Sequence, residues 1–376
     1  MHDDLLARRS LFPAADRYTY LNHAGLCPVP TTVVEATHAA IRSQCDDGLV
    51  HIERWEEGVE RVRGRAAELV GCSSSEITFV RNTSHGLSLV AAGVDWRPGD
   101  VVLCATTEEY PSNVYPWMRL ASRGVELRTV PAPGGRVTAD AFAQASCART
   151  RMIVVSTVQY ATGLRTDLAA LGQLCRDRGW LLSVDGIQSL GLIPCDAKAL
   201  GVHFLSADAH KWMLGPAGIG VMYVSEDAPL DPVLVGWRST KDALNFDRVE
   251  LDLREDAARF EEGSLCYAAI AGMGAAIDLL LDVGVARIWE RVQGLNDVLA
   301  DRLRAVGHEV SEQAAATRSG ALTFVPRAGD PAEWATRLGE QGVIVSARRG
   351  RLRASPHFYN SEDDLERLVD AVSTQP

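Results

Sequence analysis

Four short runs in the first two thirds of the chain are almost wholly apolar: VVLCA (101–105), RMIVVSTV (151–158), WLLSVDG (180–186) and IGVMYV (219–224). They are rich in β-formers and lack in–out alternation, the pattern of strands covered on both faces. Amphipathic stretches lie between them, such as DLAALGQLCRDRG (167–179), whose final glycine fits a helix C-cap. Strand and helix in repetition predict an α/β fold, a mostly parallel sheet with helices on both faces. Past about residue 255 the texture changes. Residues 270–307 read as one or two long helices, ALTFVP (321–326) and GVIVSAR (342–348) as strands, and EDDLERLVDAVS (362–373) as a closing helix. The expected organisation is a large domain over 16–254 and a smaller C-terminal α/β domain over 255–376, with residues 1–15 packing against the latter.

Composition narrows the function classes. The net charge of −11 argues against nucleic acid or an anionic membrane as partner. The eight cysteines form no C-x-x-C pair, so they read as reduced thiols of a cytoplasmic protein. The nine histidines make no H-x-x-x-H or Cys/His cluster, and no metal site is expected. The opening MHDDLLARRS carries acidic residues at once and no apolar stretch, so no signal peptide is expected. No run approaches the roughly 18 apolar residues of a membrane span.

Of the 38 basic residues only Lys198, Lys211 and Lys241 are lysines. Lys211 sits in SADAHKWMLGPAGIG (206–220), where Trp212, Met213, Leu214 and the following Gly-Pro-Ala-Gly make a solvated surface position improbable. Asp185 ends the run 180–185, and ligands of parallel sheets bind outside the carboxyl ends of strands. By itself Asp185 would read as a helix N-cap. Together, an aspartate at a strand end and a lysine on the next loop suit pyridoxal phosphate. That cofactor needs a lysine for its Schiff base and a carboxylate to keep its ring nitrogen protonated. Arginine cannot replace the lysine, because a guanidinium does not become a free amine.

With these residues in order, the chain resembles the class V aminotransferase-like enzymes of pyridoxal phosphate fold type I. That group includes cysteine desulfurases, selenocysteine lyases, isopenicillin N epimerase-like enzymes and C–S lyases of natural-product pathways. The resemblance runs from YLNHAG (20–25) to RASPHFYN (353–360). It implies that Lys211 forms the Schiff base, Asp185 faces the ring nitrogen and Gln188 bonds the phenolic oxygen. FVRNTSHGLSLVA (79–91) resembles the phosphate-binding turn, with Thr83 and Ser84 at a helix start where free amides meet an anion. His210 matches a further phosphate ligand. Relatives carry serine and glycine where this chain has Asp208 and Ala209. An acid would repel phosphate, so Asp208 is expected to point elsewhere, and Ser206 becomes a candidate.

Tyr110, in EEYPSNVYPW (108–117), stands where desulfurases have a ring-stacking histidine, and its hydroxyl suits an acid or a substrate contact. Tyr160 stands where they have an asparagine near the phenolic oxygen. Arg353 matches the arginine that forks onto the substrate carboxylate, although Arg348, Arg349 and Arg351 crowd nearby. FEEGSLCYAAIAG (260–272) resembles a segment that crosses a dimer interface, where Gly263 and Ser264 reach the partner's phosphate. The resemblance therefore implies a homodimer.

Desulfurases take sulfur on a cysteine in a loop before the carboxylate-binding arginine. Here that region, GVIVSARRGRLRASP, is short and cysteine-free, and Cys266 lies elsewhere. The first expectation is a carbon–sulfur lyase: β-elimination from a cysteine S-conjugate in secondary metabolism, such as antibiotic biosynthesis. Decarboxylation-coupled oxidative deamination, epimerisation and transamination are the alternatives, with a selenocysteine lyase-like activity as a narrower one. A non-catalytic scaffold is disfavoured because lysine, aspartate and glutamine are all present. GMGAAI (272–277) lacks the third glycine and the preceding strand of a nicotinamide-binding turn.

Overall fold

The apolar runs assemble side by side. The computed structural model describes residues 3–245, 247 and 249–373. Seven strands form one sheet in the order Ile77–Val80, Gly220–Val224, Phe204–Asp208, Leu181–Asp185, Thr150–Ser156, Val101–Cys104 and Glu126–Thr129. The last five are mutually parallel, as the alternation of strand and helix predicts. Gly220–Val224 departs from that pattern and runs antiparallel to both neighbours. Only residues 209–219 separate it from Phe204–Asp208. That link is shorter than the dozen or more residues, usually helical, of a parallel crossover. The chain turns back instead, and the turn carries Lys211.

The sheet is covered on both faces because successive side chains of a strand point to opposite sides. Leu103, Ile153, Val155, Leu182 and Val184 enter one apolar cluster, and Val102, Cys104, Met152, Val154 and Leu181 the other. The amphipathic run before Gly179 is the helix Leu168–Arg178. The Asp167 side chain accepts from the Ala170 amide at its start, and Gly179 at φ 65° closes it.

The stretch read as one or two helices is two, Tyr267–Val283 and Val285–Ala305, bent by 77° with Gly284 at φ 88° between them. Ile270, Met273 and Ile277 of the first join the core beside the large sheet, against helices Thr31–Asp47 and Ile52–Val70. Leu295, Leu299 and Leu303 of the second cover an antiparallel sheet of Ser346–Arg348, Arg351–Ala354, Leu322–Val325 and Glu309–Val310. GVIVSAR is therefore two strands, because Val343–Ile344 pairs instead with Thr19–Tyr20. The start of the chain is held to the same end of the molecule. Arg9 pairs with Asp364 at 2.7 Å, and the Phe12 ring stacks on Tyr359 at 3.8 Å. Among the described residues no single helix is long and apolar enough to cross a membrane.

One buried ion pair ties the edge strand to the segment before helix Tyr267–Val283. Arg63 meets Glu261 at 2.7 Å and donates to the Ile77 carbonyl at 2.8 Å, while the Phe79 amide donates to Glu261 at 3.2 Å. Without Glu261 the buried Arg63 keeps only the exposed Glu60, at 3.0 Å, as a carboxylate partner, so Glu261→Ala is expected to lower stability by about 3 kcal/mol. Arg42→Ala, which breaks the exposed pair with Asp46, is expected to cost less than about 1 kcal/mol. Equal losses in urea unfolding would refute this ranking.

Candidate active site

Asp185 and Asp208 are the last residues of adjacent parallel strands. A cavity of about 300 Å³ opens there, where a doubly wound sheet binds its ligands. Nine of the ten residues given a site role in the sequence line it: Thr83, Ser84, Tyr110, Tyr160, Asp185, Gln188, His210, Lys211 and Arg353. Ser264 does not; it is exposed and outside the cavity of its own chain.

Among the described residues Lys211 makes no ion pair, whereas Lys198 meets Glu76 at 2.9 Å and Lys241 meets Glu255 at 3.1 Å. Burial pulls the Lys211 ammonium well below the ordinary 10.5, against the attraction of Asp185. Burial likewise pushes the Asp185 carboxyl up from 3.8, against the Ile187 amide at 3.0 Å and Lys211. A desolvated lysine gives up its proton readily, as an imine-forming amine and a base both require. The Tyr110 ring centroid lies 5.9 Å from Lys211 Nζ, and Tyr160 meets that ring edge-on at 5.2 Å. Gln188 is fixed in orientation. Its Nε2 donates to the Ala24 carbonyl at 3.0 Å, and its Oε1 accepts from Trp212 Nε1 at 3.1 Å.

The anion-binding end is the start of helix Thr83–Gly93. The Asn82 side chain caps the His85 amide at 2.9 Å, and the Thr83 and Ser84 amides before it have no intrahelical partner. Ser84 Oγ donates to Ser112 Oγ at 2.7 Å. Ser206 is no part of the cavity lining; its hydroxyl donates to the Thr83 carbonyl at 3.3 Å and so positions that helix. A methyl group on Gly86 would come within 2.2 Å of Ser206 Oγ, so only glycine lets the helix approach this closely. Asp208 overturns the expectation that it points elsewhere. It lines the cavity, 2.8 Å from His210 Nδ1. Repulsion by a phosphate was the whole argument for turning it away, and that argument left out the imidazole two residues on.

At the opposite end, Arg353 is buried and donates through Nη1 to the Tyr160 carbonyl at 2.5 Å. Its buried Nε has no partner. Burial, then Arg348, pull its pKa down, yet a guanidinium keeps its charge, so the site calls for an anion. The crowded cluster sorts itself by partners. Arg349 pairs with Glu108 at 2.8 Å, and Arg351 with Glu309 at 2.9 Å.

Sequence reasoning missed Glu109. Its buried carboxylate accepts from the Ser156 amide at 2.8 Å, the Ser156 hydroxyl, Asn113 Nδ2 at 2.9 Å and Gln159 Nε2 at 3.1 Å. It pins the Tyr110 loop to a strand end. Its only sequence signal is its place beside Tyr110. His23 was also passed over within YLNHAG. Its Nδ1 donates to the Ser355 carbonyl at 2.8 Å, Nε2 accepts from Tyr359 at 2.7 Å, and burial lowers its pKa to about 4. A neutral imidazole thus ties the first strand to the last.

These groups fit pyridoxal phosphate. An unpaired lysine, a buried carboxylate and an oriented amide converge on one cavity with a helix start. Asp208 Oδ1 and His210 Nδ1 are buried there without an aligned hydrogen bond, polar atoms waiting for a ligand. The folded state holds a proton on Asp185 that the unfolded chain has released, so ionising it costs stability. Stability of the cofactor-free protein, relative to Asp185→Asn, is therefore expected to fall as pH rises from 3.8 toward about 7. Parallel curves for the two proteins in urea unfolding across that range would refute the buried, raised carboxyl.

The description "Aminotransferase class-V" matches residues 19–368. A probable cysteine desulfurase of Methanothermobacter thermautotrophicus is 30% identical over 96% of this chain and 95% of its own length. A cysteine desulfurase of Klebsiella pneumoniae subsp. pneumoniae is 31% identical over 83% and 80% respectively. A solved complex of the cystine C–S lyase C-DES with its reaction product cysteine persulfide superposes with a TM-score of 0.90 at 25% identity, over 96% of this chain and 99% of the other. A C-DES variant with glycine covalently linked to its pyridoxal phosphate superposes at 0.91 and 24% identity, over 97% and 99%, a likeness of fold. Sequence, fold and cavity agree that the chain belongs to the class V aminotransferase family and is a pyridoxal phosphate-dependent enzyme of fold type I.

Proposed function

We propose that the enzyme cleaves the carbon–sulfur bond of a cysteine S-conjugate by β-elimination. The carrying observation is a cavity that holds a lysine base and a buried arginine without a carboxylate partner, and no thiol among the described residues that line it. Cys27, behind the lysine loop, is buried outside the lining, and burial pushes its thiol up to about 12. The names of the relatives, cysteine desulfurases and a cystine C–S lyase, support a sulfur-bearing amino acid as substrate. The missing thiol favours release of the sulfur fragment over its capture. A half-exposed Tyr110 at the cavity mouth leaves the S-substituent an exit toward solvent, which suits the larger conjugates of secondary metabolism.

Arg353 holds the α-carboxylate, Gln188 and Asp185 hold the cofactor, and the start of helix Thr83–Gly93 with His210 holds its phosphate. Bound there, the cofactor ring withdraws electrons from the α-carbon. Lys211, as the free amine, takes the α-proton. The Cβ–S bond then breaks, and the sulfur leaves with the bonding pair and collects a proton, for which the Tyr110 hydroxyl is the donor at the mouth. Water converts the remaining three-carbon enamine to pyruvate and ammonia, so one conjugate and one water give one thiol, one pyruvate and one ammonium. Mixing the yellow protein with S-ethyl-L-cysteine is expected to release all three in equal amounts. Lys211→Ala is expected to lower turnover by about 10²–10⁴-fold or more and to abolish borohydride fixation of the cofactor. A spectral shift without thiol would overturn β-elimination of such conjugates.

We further propose a homodimer that completes each site with Ser264 of the other chain. Leu26, Val34 and Ile41 support it as exposed apolar side chains, the last two seven residues apart on one face of helix Thr31–Asp47. Light scattering is expected to give twice 40.7 kDa, and a monomer at micromolar concentration would refute it. Eight free cysteines support a reducing compartment, and we place the enzyme in the cytoplasm.

A further inference from the structure

We infer that Arg348 forms a second anion site in this cavity, so that the preferred conjugate carries a carboxylate on its sulfur substituent as well as at the α-carbon. The inference rests on the α-carbon chemistry proposed above. Strands Ser346–Arg348 and Arg351–Ala354 pair with Ser346 opposite Arg353 and Arg348 opposite Arg351. Residues directly opposite share a face, so Arg348, Arg351 and Arg353 rise from the same side of the hairpin. Arg351 turns to Glu309 and to Ser311 Oγ, at 2.9 and 3.0 Å, and Arg349, at the turn, reaches Glu108. Arg348 and Arg353 both line the cavity, and neither has a carboxylate partner among the described residues. The one hydrogen bond of the Arg348 side chain among those residues is to its neighbour's carbonyl, that of Ala347, at 2.7 Å.

The cavity thus faces two guanidinium cations, Arg348 and Arg353, that carry no ion pair of their own among the described residues, beside the Lys211 amine. Of its acids, Asp185 accepts from the Ile187 amide and Asp208 lies 2.8 Å from His210 Nδ1. One α-carboxylate answers Arg353. The two guanidinium groups also sit at different depths, Arg353 buried and Arg348 exposed at the rim. An amino acid anchored on the floor by Arg353 with its sulfur chain directed outward brings a terminal carboxylate toward Arg348. A conjugate with an alkyl terminus leaves that cation without an answer.

The test compares S-carboxymethyl-L-cysteine with S-ethyl-L-cysteine, similar in size and different in terminal charge, by visible-absorbance titration of the holoenzyme. The acidic ligand is expected to bind about tenfold to a hundredfold tighter, the range of one charged contact. Arg348→Gln is expected to collapse that ratio toward one, and Arg348→Lys to restore part of it. Arg348 is exposed, so these variants leave the core intact. Equal weakening of both ligands by Arg348→Gln would place Arg348 on the α-carboxylate and overturn the inference, as would a wild-type ratio near one. A cofactor spectrum that responds to neither ligand would instead overturn the reading of the site itself, a result distinct from either.

Discussion

Lys211 and Asp185 are desolvated in the same cavity, brought there by strand geometry against each side chain's preference for water. Everything near them serves to hold that arrangement. The Lys211 loop is the short antiparallel return between Phe204–Asp208 and Gly220–Val224, and distant segments tie it down. The Cys27 amide donates to the His210 carbonyl at 2.8 Å, Trp212 donates to Gln188, and His357 Nε2 donates to the Trp212 carbonyl at 3.2 Å. Within the loop Leu214 adopts φ 58°, a left-handed conformation that costs a residue with a side chain about 1–2 kcal/mol. Such a conformation persists only where its surroundings over-determine it, and here contacts from the start, middle and end of the chain do so.

The smaller sheet faces the opposite side of the cavity and does the complementary work. Its hairpin contributes arginines, and ion pairs with Glu108 and Glu309 decide which of them remain available. At the anion-binding end Asp208 and His210 lie side by side, an acid beside an imidazole. Among these arginines, the charge that a ligand meets is what remains after neighbouring charges have paired.

Much of this was legible in the sequence. Strands buried on both faces advertise themselves as unbroken apolar runs, and Lys211 stands out because arginine supplies nearly all other positive charge. Asp185 follows from its place at a strand end. The rest depended on contacts between residues far apart in the chain. The direction of Gly220–Val224 is set by the length of a connection, and the run itself carries no mark of it. Glu109 is an ordinary glutamate until Ser156, Asn113 and Gln159 converge on it. The four arginines between 348 and 353 are indistinguishable until Glu108 and Glu309 remove two of them. Asp208 was misread because a pairwise repulsion argument left out the neighbour that answers it.

The turn between strands Ser346–Arg348 and Arg351–Ala354 is only two residues long, Arg349 at φ 45° and Gly350 at φ 72°. Two successive positive φ values define the tightest hairpin connection, whose twist matches that of its strands. Its register places Arg353 opposite Ser346, and the Arg349 contacts with Glu108 and the Tyr160 ring moor its tip. A segment long enough to reach over the cavity therefore cannot be gained here by exchanging one side chain for another. It would require added backbone, and the added backbone would have to dissolve the turn and its mooring first. In this chain, the length of one loop sets what the hairpin can carry over the cavity.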